Sequence, residues 1–381
     1  MKFSFNLAGF CWAVSFGTLA TLASISLEKA GFSRFEIGLQ SSAYYFSIAL
    51  GSIFMTRLIK SMGNFTIILG LFGASVSVVF FAFCSSSMGY LFLRLLNGFS
   101  AAMALVPLET LVYQNAESSE KAKIFGVFEL CLSAGVGIGA SLSPILESFQ
   151  AGFGYIFLGF FPIIGIISLV GLSEKIANAE NLLLISLGEI KEMYPYFCTA
   201  FTQGFLEGGL ISYLGIMILG MGYASEQVSL VFGSMFAGVI FSMLFITRLA
   251  DVVGHKKVLL FTHILSLCSL IFLGFVSSLV FLVGFVFLVG FTCGGQYAVA
   301  LASISMQIET KKQPSANSMY LTLNCAGSVA GPILIGVMAG DGFFRSIFVL
   351  GAIPIFLLLL VWTITFCCHK EHSKENNPTG V

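Results

Sequence analysis

Charged side chains are scarce in this chain, and four of them fall where charge is expensive. Arg94, Glu109, Glu129 and Glu207 each lie inside a long apolar run. An ionisable group in such a place faces a cavity, a partner or a protein interior, and it marks a functional site by default. Glu207 is the sharpest case. It lies about 12 residues into its run, or about 18 Å along a helix, close to the middle of a bilayer. Gln203 stands one turn earlier on the same face. A carboxyl at that depth can take up and release a proton, so Glu207 is the first candidate for proton coupling. Gly208 and Gly209 follow it, and offer a place where the helix can bend. Arg94, Gly98, Ala101, Leu105 and Glu109 share one helical face. Its two charges stand about 22 Å apart. Such a stripe lines an aqueous cavity or admits a close helix neighbour. Glu109 lies near the end of its run, where interfacial water can also solvate it. Glu129 lies about five residues into its own run, within reach of Arg57 or Lys60 across a rim.

The elements that position these groups are membrane-spanning helices. The chain is 57% hydrophobic and 9% charged, with a mean hydropathy of +0.98, against roughly 25% charged in soluble domains. Charged or turn-rich breaks divide it into twelve runs, centred near Gly17, Phe46, Gly73, Ala101, Gly135, Ile163, Glu207, Gly238, Cys268, Gly294, Gly327 and Phe356. The first run, from Asn6 to Leu27, reads as a retained span and not as a cleaved signal. The runs form an internal repeat. Thr56-Arg57-Leu58 with Gly63 returns as Thr247-Arg248-Leu249 with Gly254, at an offset of 191. Phe10-Cys11 with Gly17 returns as Phe197-Cys198 with Gly204, and Gly98-Phe99 as Gly290-Phe291. Pro144-Ile145-Leu146 returns as Pro332-Ile333-Leu334. The expected organisation is a six-helix bundle over 1–172, a linker over 173–194 with a short amphipathic helix, a second bundle over 195–368, and a tail over 369–381.

Orientation follows from the loops. With the N-terminus inside, fourteen loop and tail Lys and Arg residues lie inside and three outside, so both termini are expected in the cytoplasm. Asn64-Phe65-Thr66 then lies in an inside loop, where a glycosylation sequon is not used. Eighteen basic and eighteen acidic residues cancel, which argues against nucleic acid as a partner. The nine cysteines are scattered through apolar runs without a paired motif, so neither a metal site nor a disulfide framework is expected. No Gly-x-x-x-x-Gly-Lys loop is present for ATP, no cofactor is implied, and no His, Asp or Ser cluster suggests an enzyme.

Twelve runs, a duplication and three motifs together resemble the major facilitator superfamily of secondary transporters. Gly63 and, more fully, Asp251, Gly254, His255 and Lys256 resemble its loop motif Gly-x-x-x-Asp-Arg-x-Gly-Arg-Lys, with Lys60 and Val252 as departures. Arg94-Leu95-Leu96-Asn97-Gly98 resembles its fourth-helix motif Arg-x-x-Gln-Gly, whose arginine is linked with proton coupling in many members. The fifth-helix Gly-Pro pair of drug/proton antiporters is absent, which disfavours drug export. The resemblance implies an all-α membrane protein of two pseudo-symmetric six-helix halves. It also implies a central cavity lined by Arg94, Asn97, Gln203, Glu207, Gln296 and Tyr297, with Glu207, Arg94 and Glu109 as proton-coupling candidates. The gate would comprise Arg57, Lys60, Gly63, Glu129, Arg248, Asp251, Gly254, His255 and Lys256. The expected function is proton-coupled movement of a small polar or amphipathic organic solute by a monomer in a bacterial inner membrane. A transporter-like receptor or scaffold is the alternative of a different class.

Overall fold

The computed structural model describes residues 2–114, 121–170, 185–309, 312–338 and 346–375. Among these residues the chain is helical throughout, without strands. The helices of the first half are α1 (Lys2–Lys29), α2 (Arg34–Met62), α3 (Phe65–Phe81), α4 (Ser87–Gln114), α5 (Lys121–Phe149), α6 (Phe153–Gly159) and α7 (Phe161–Ser168). Then follow α8 (Leu187–Glu192), α9 (Tyr194–Gly220), α10 (Ser225–Val253), α11 (His255–Leu273), α12 (Leu279–Ser305), α13 (Gln313–Met338) and α14 (Ser346–Glu375). Six-residue α8 is too short to cross a bilayer. Helices α6 and α7 form one crossing interrupted at Phe160, just before Pro162 enters the first turn of α7, where a missing N–H costs nothing. Twelve crossings remain among the described residues, one for each apolar run. They alternate between a terminal end, which carries the N-terminus, the α2–α3 and α10–α11 turns and α8, and a distal end, which carries the α1–α2 and α9–α10 turns.

The repeat is visible in the backbone. Gly31 and Gly222 close the α1–α2 and α9–α10 turns at φ +83° and +88°, and Gly63 and Gly254 end α2 and α10 at φ +55° and +101°. Any Cβ would be strained at such angles. Each pair is 191 residues apart, the offset of the loop motif. The helix starts correspond as well. Glu36 Oε2 accepts from the Ser33 N–H at 2.9 Å, and Gln227 Oε1 from the Ala224 N–H at 2.6 Å.

Hydrocarbon gives helices no hydrophobic reason to associate, so close backbone contact and hydrogen bonding must hold them. Glycine supplies the contact. Gly17 of α1 lies against the Val136 backbone of α5, while Gly135 and Gly139 lie against the Phe10 and Val14 carbonyls of α1. The second half repeats this, with Gly204 and Gly208 of α9 on Asn324 and Ser328 of α13, and Gly327 and Gly331 on Phe201 and Phe205. α9 stays helical without a break through Gly208-Gly209, and those glycines make room for α13.

The two halves meet at the distal end. Ser42 Oγ of α2 donates to the Val329 carbonyl of α13 at 2.7 Å. Tyr213 Oη of α9 lies 2.6 Å from the Arg34 carbonyl and 3.1 Å from that of Pro332, and its one hydrogen serves the nearer. A Cβ on Gly336 would come within 2.7 Å of Arg34 O, and one on Gly38 within 2.6 Å of Tyr213 Oη. At the terminal end α8 is tethered to the second half. Lys312 Nζ donates to Glu189 Oε1 at 2.8 Å, and the Ile185 N–H to Ser315 Oγ at 3.0 Å. A short helix, α8, thus lies within the stretch expected to be the linker, while 171–184 lie outside the described residues.

Two outcomes follow. Gly336→Ala cannot keep the distal seal without displacing Arg34, and Tyr213→Phe removes a bond of about 1 kcal/mol, or about fivefold in a two-state ratio. Both variants should raise the labelling rate of a cysteine placed at buried Ser41 by several-fold, and unchanged labelling would show that the seal lies elsewhere. The second concerns pH. Hydrogen bonds from Lys312 and Ser186 hold the Glu189 carboxyl down at about 2. A lowered carboxyl pKa stabilises at any pH above the ordinary carboxylate range and fails only as pH falls through the lowered value. Amide exchange in α8 should therefore stay flat from about pH 8 to pH 5 once corrected for intrinsic rates. Glu189→Gln should speed it at every pH.

Candidate functional site

On α9 every residue from Gly204 to Ile218 is buried except Glu207, which is exposed. The helix is surrounded by α1, α2, α10, α12, α13 and α14, so this opening is an internal cavity between the halves. Glu207 lies within electrostatic reach of Glu129 on α5, Tyr44 and Tyr45 on α2, Cys293 and Tyr297 on α12, and Cys325 on α13. Glu129 is in turn within reach of Glu109. All three carboxylates act on Tyr297, whose ring packs edge-on against Tyr320 at 4.9 Å. Both outer acids are half-buried. Distal to Glu207, by contrast, Ile211, Ser212, Tyr44 and Tyr45 are each at least nine-tenths buried. Water therefore reaches Glu207 from the terminal end, past Glu129 and Glu109. Gln203 stands one turn nearer that end, half-buried, with Oε1 unpartnered, and Gln296 is buried with Nε2 unpartnered. These are polar groups poised around a solvated, acid-lined chamber.

Arg94 is not in that chamber. It is 2% exposed, donates through Nη2 to the Leu19 carbonyl at 3.2 Å, and stacks its guanidinium 5.8 Å from the Phe81 ring centroid. The charged and titratable groups within its reach are Tyr155, Tyr45 and Tyr44, and it has no carboxylate partner among the described residues. The stripe that begins at Arg94 meets a neighbouring helix instead of lining water along its length. A Cβ on Gly98 would strike the Tyr44 carbonyl of α2. Asn97, expected in the cavity, faces α3 instead. Its Nδ2 donates to Ser77 Oγ at 2.7 Å, and it is 2% exposed. The sequence reading passed over Tyr44 and Tyr45, which stand between Arg94 and Glu207 and sense both. Adjacent tyrosines in the middle of an apolar run were the available signal.

The loop motifs lie at the terminal end. Gly63 and Gly254 end their helices, with N–H groups donating to the Ile59 and Ala250 carbonyls at 2.8 and 2.9 Å. Arg57, Lys60, Arg248 and Asp251 are exposed. Asp251 Oδ1 lies 3.7 Å from His255 Nε2, one turn on, and Lys256 Nζ lies 5.9 Å from the Trp362 ring centroid. The pairing of Glu129 with Arg57 or Lys60 across the rim is not formed, because Glu129 turns inward to the other two acids. No group of three or more His, Cys, Asp or Glu side chains among the described residues is arranged to hold a metal.

Comparison with known proteins accords with this architecture. The profile of the Major Facilitator Superfamily matches residues 5–182 and 196–381. An uncharacterized MFS-type transporter of Methanocaldococcus jannaschii is 22% identical over 343 residues, covering 85% of this chain and 87% of that protein. Among solved structures, a mutant of the nucleoside transporter NupG superposes with a TM-score of 0.80 at 14% identity, over 96% of this chain and 99% of the other. A bacterial homologue of the human lysosomal transporter Spinster, in an inward-facing and occupied conformation, gives 0.72 at 12% identity, over 95% of each chain.

Proposed function

The chain belongs to the Major Facilitator Superfamily and is a secondary transporter of a small-molecule solute, and from that premise we propose that protons drive it. The proposed cargo is a small polar or amphipathic organic solute, carried in symport through the Glu207 chamber. The observation that carries this reading is the single exposed carboxylate in the otherwise buried core of α9. An ionised carboxylate cannot be closed into a low-dielectric interior without a counter-charge, so a chamber holding Glu207 occludes readily only once that charge is neutralised. A proton does this with the least volume and leaves room for the solute. Glu129 and Glu109 lie between Glu207 and the terminal end, and act as the route by which the proton enters or leaves in this state. Gln203, Gln296 and Tyr297 supply the hydrogen-bonding wall. Arg94 and Asn97 support the packing of α4 in this state.

The membrane setting belongs to the same proposal: a bacterial inner membrane, both termini cytoplasmic, and a functional monomer whose two halves complete one chamber. The terminal end is then the cytoplasmic end and this state faces inward. The halves rock about the chamber during transport, and the motif residues Arg57, Lys60, Glu129, Arg248, Asp251, His255 and Lys256 come together at the gate when the other state forms.

The central test is Glu207→Gln, which preserves shape and most hydrogen bonding but removes the proton site. It should abolish accumulation of solute against a gradient in proteoliposomes with an imposed pH difference, while solute counterflow survives. A mutant that still concentrates solute with the wild-type pH dependence would make Glu207 a structural residue. Orientation is tested separately. A reporter active only in the cytoplasm should work when fused after Val381 and when inserted at Ala179, and silence at either place reverses the assignment.

A further inference from the structure

Between α1, α2, α4 and α9, beside Tyr44 and Tyr45, lies a small separate cavity. Its free volume is about 10 Å³, close to what one water needs. Arg94 opens onto it together with Ser41, Tyr44, Tyr45 and Ser212, and every residue around it is at least nine-tenths buried. The polar lining is lopsided. Arg94 Nε is buried without a partner. Ser41, Tyr44 and Tyr45 bring hydroxyl-bearing side chains to its lining, while the hydroxyl of Ser212 is spent on the Gly208 carbonyl at 2.6 Å. The pocket therefore offers one unpartnered guanidinium N–H beside three hydroxyl-bearing side chains, carries one positive charge, and has no carboxylate in its lining.

A lone guanidinium enclosed at membrane depth is costly until something neutralises it. Water fits the space but brings no charge. Glu207 brings charge but stands in the other chamber, beyond the two tyrosines. We propose that this pocket is a binding site for a small monovalent anion of halide size, held by Arg94 Nε and the hydroxyls of Ser41, Tyr44 and Tyr45. The free volume excludes larger oxyanions and any organic carboxylate in this state. The site is independent of the solute chamber. It neutralises Arg94 while the distal end is sealed, so chloride favours the sealed state.

The test uses the purified full-length protein in detergent, without solute. Sodium chloride is exchanged for sodium gluconate at constant ionic strength, and thermal unfolding is followed. Saturating chloride should raise Tm by about 3 °C, with a hyperbolic dependence on concentration. Bromide should substitute and sulfate should not. Ser41→Ala and Tyr45→Phe each remove one donor and should weaken the apparent chloride affinity about five-fold. Arg94→Gln should abolish the dependence altogether. Because Arg94→Gln can lower stability for other reasons, the two milder variants decide the case if it does not fold. Glu207→Gln should keep the full chloride response, which separates this site from the proton reading. Equal Tm in chloride and gluconate, an equal response to sulfate, or unaltered chloride affinity in both Ser41→Ala and Tyr45→Phe would overturn the proposal.

Discussion

Hydrocarbon cannot solvate an ion, and the arrangement of this protein follows from where it puts its few internal charges. Arg94, Glu109, Glu129 and Glu207 lie within the spans, and the structure sorts them by sign. Glu109, Glu129 and Glu207 look into one chamber that water reaches from the terminal end. Arg94 sits behind Tyr44 and Tyr45 in a closed space. A direct ion pair between the two sets would satisfy both charges and hold them statically. Keeping them apart leaves each dependent on a mobile partner, and that dependence lets the state of the chamber respond to what it holds.

The helices can keep such a partition because their backbones touch. At Gly204, Gly208, Gly327 and Gly331 the gap between α9 and α13 is too narrow for a β-carbon, and the same holds for Gly17, Gly135 and Gly139 between α1 and α5. These contacts lie within each half and make each one rigid. The contacts between halves add hydrogen bonds. At the distal end Ser42 and Tyr213 donate to carbonyls across the seam, beside close backbone approaches at Gly38 and Gly336. Bonds of about 1 kcal/mol each can be exchanged for others in a rocking motion, while the repeated glycine contacts along α1–α5 and α9–α13 hold each half together.

The duplication was legible in sequence because its landmarks are glycines and turn residues. Their positions are set by backbone geometry, and the 191-residue offset survives from Gly31 and Gly63 to Gly222 and Gly254. The depth of Glu207 was legible because counting residues along a helix measures distance. Less was legible about which neighbour each face would meet. Asn97 is one turn from Arg94, yet it bonds to Ser77 of α3. Gly208-Gly209 reads equally well as a bend or as a contact, and only the presence of α13 decides. The Tyr44–Tyr45 partition went unseen for a related reason. A tyrosine in an apolar run looks like core until a charge is found on either side of it.

The same partition explains why a protein of this kind spends buried tyrosines where phenylalanine would fill the space. Phe16 stacks on Tyr44 at 5.0 Å and Tyr45 packs edge-on against Tyr44 at 5.1 Å, so rings alone would close the seam. The hydroxyls add something packing does not need. They place dipoles within electrostatic reach of both an arginine and a carboxylate. Each phenol has one hydrogen to give, and one spent beside Arg94 leaves Glu207 to be neutralised from its own chamber. The arginine and the carboxylate then answer to separate partners on the two sides of the same rings.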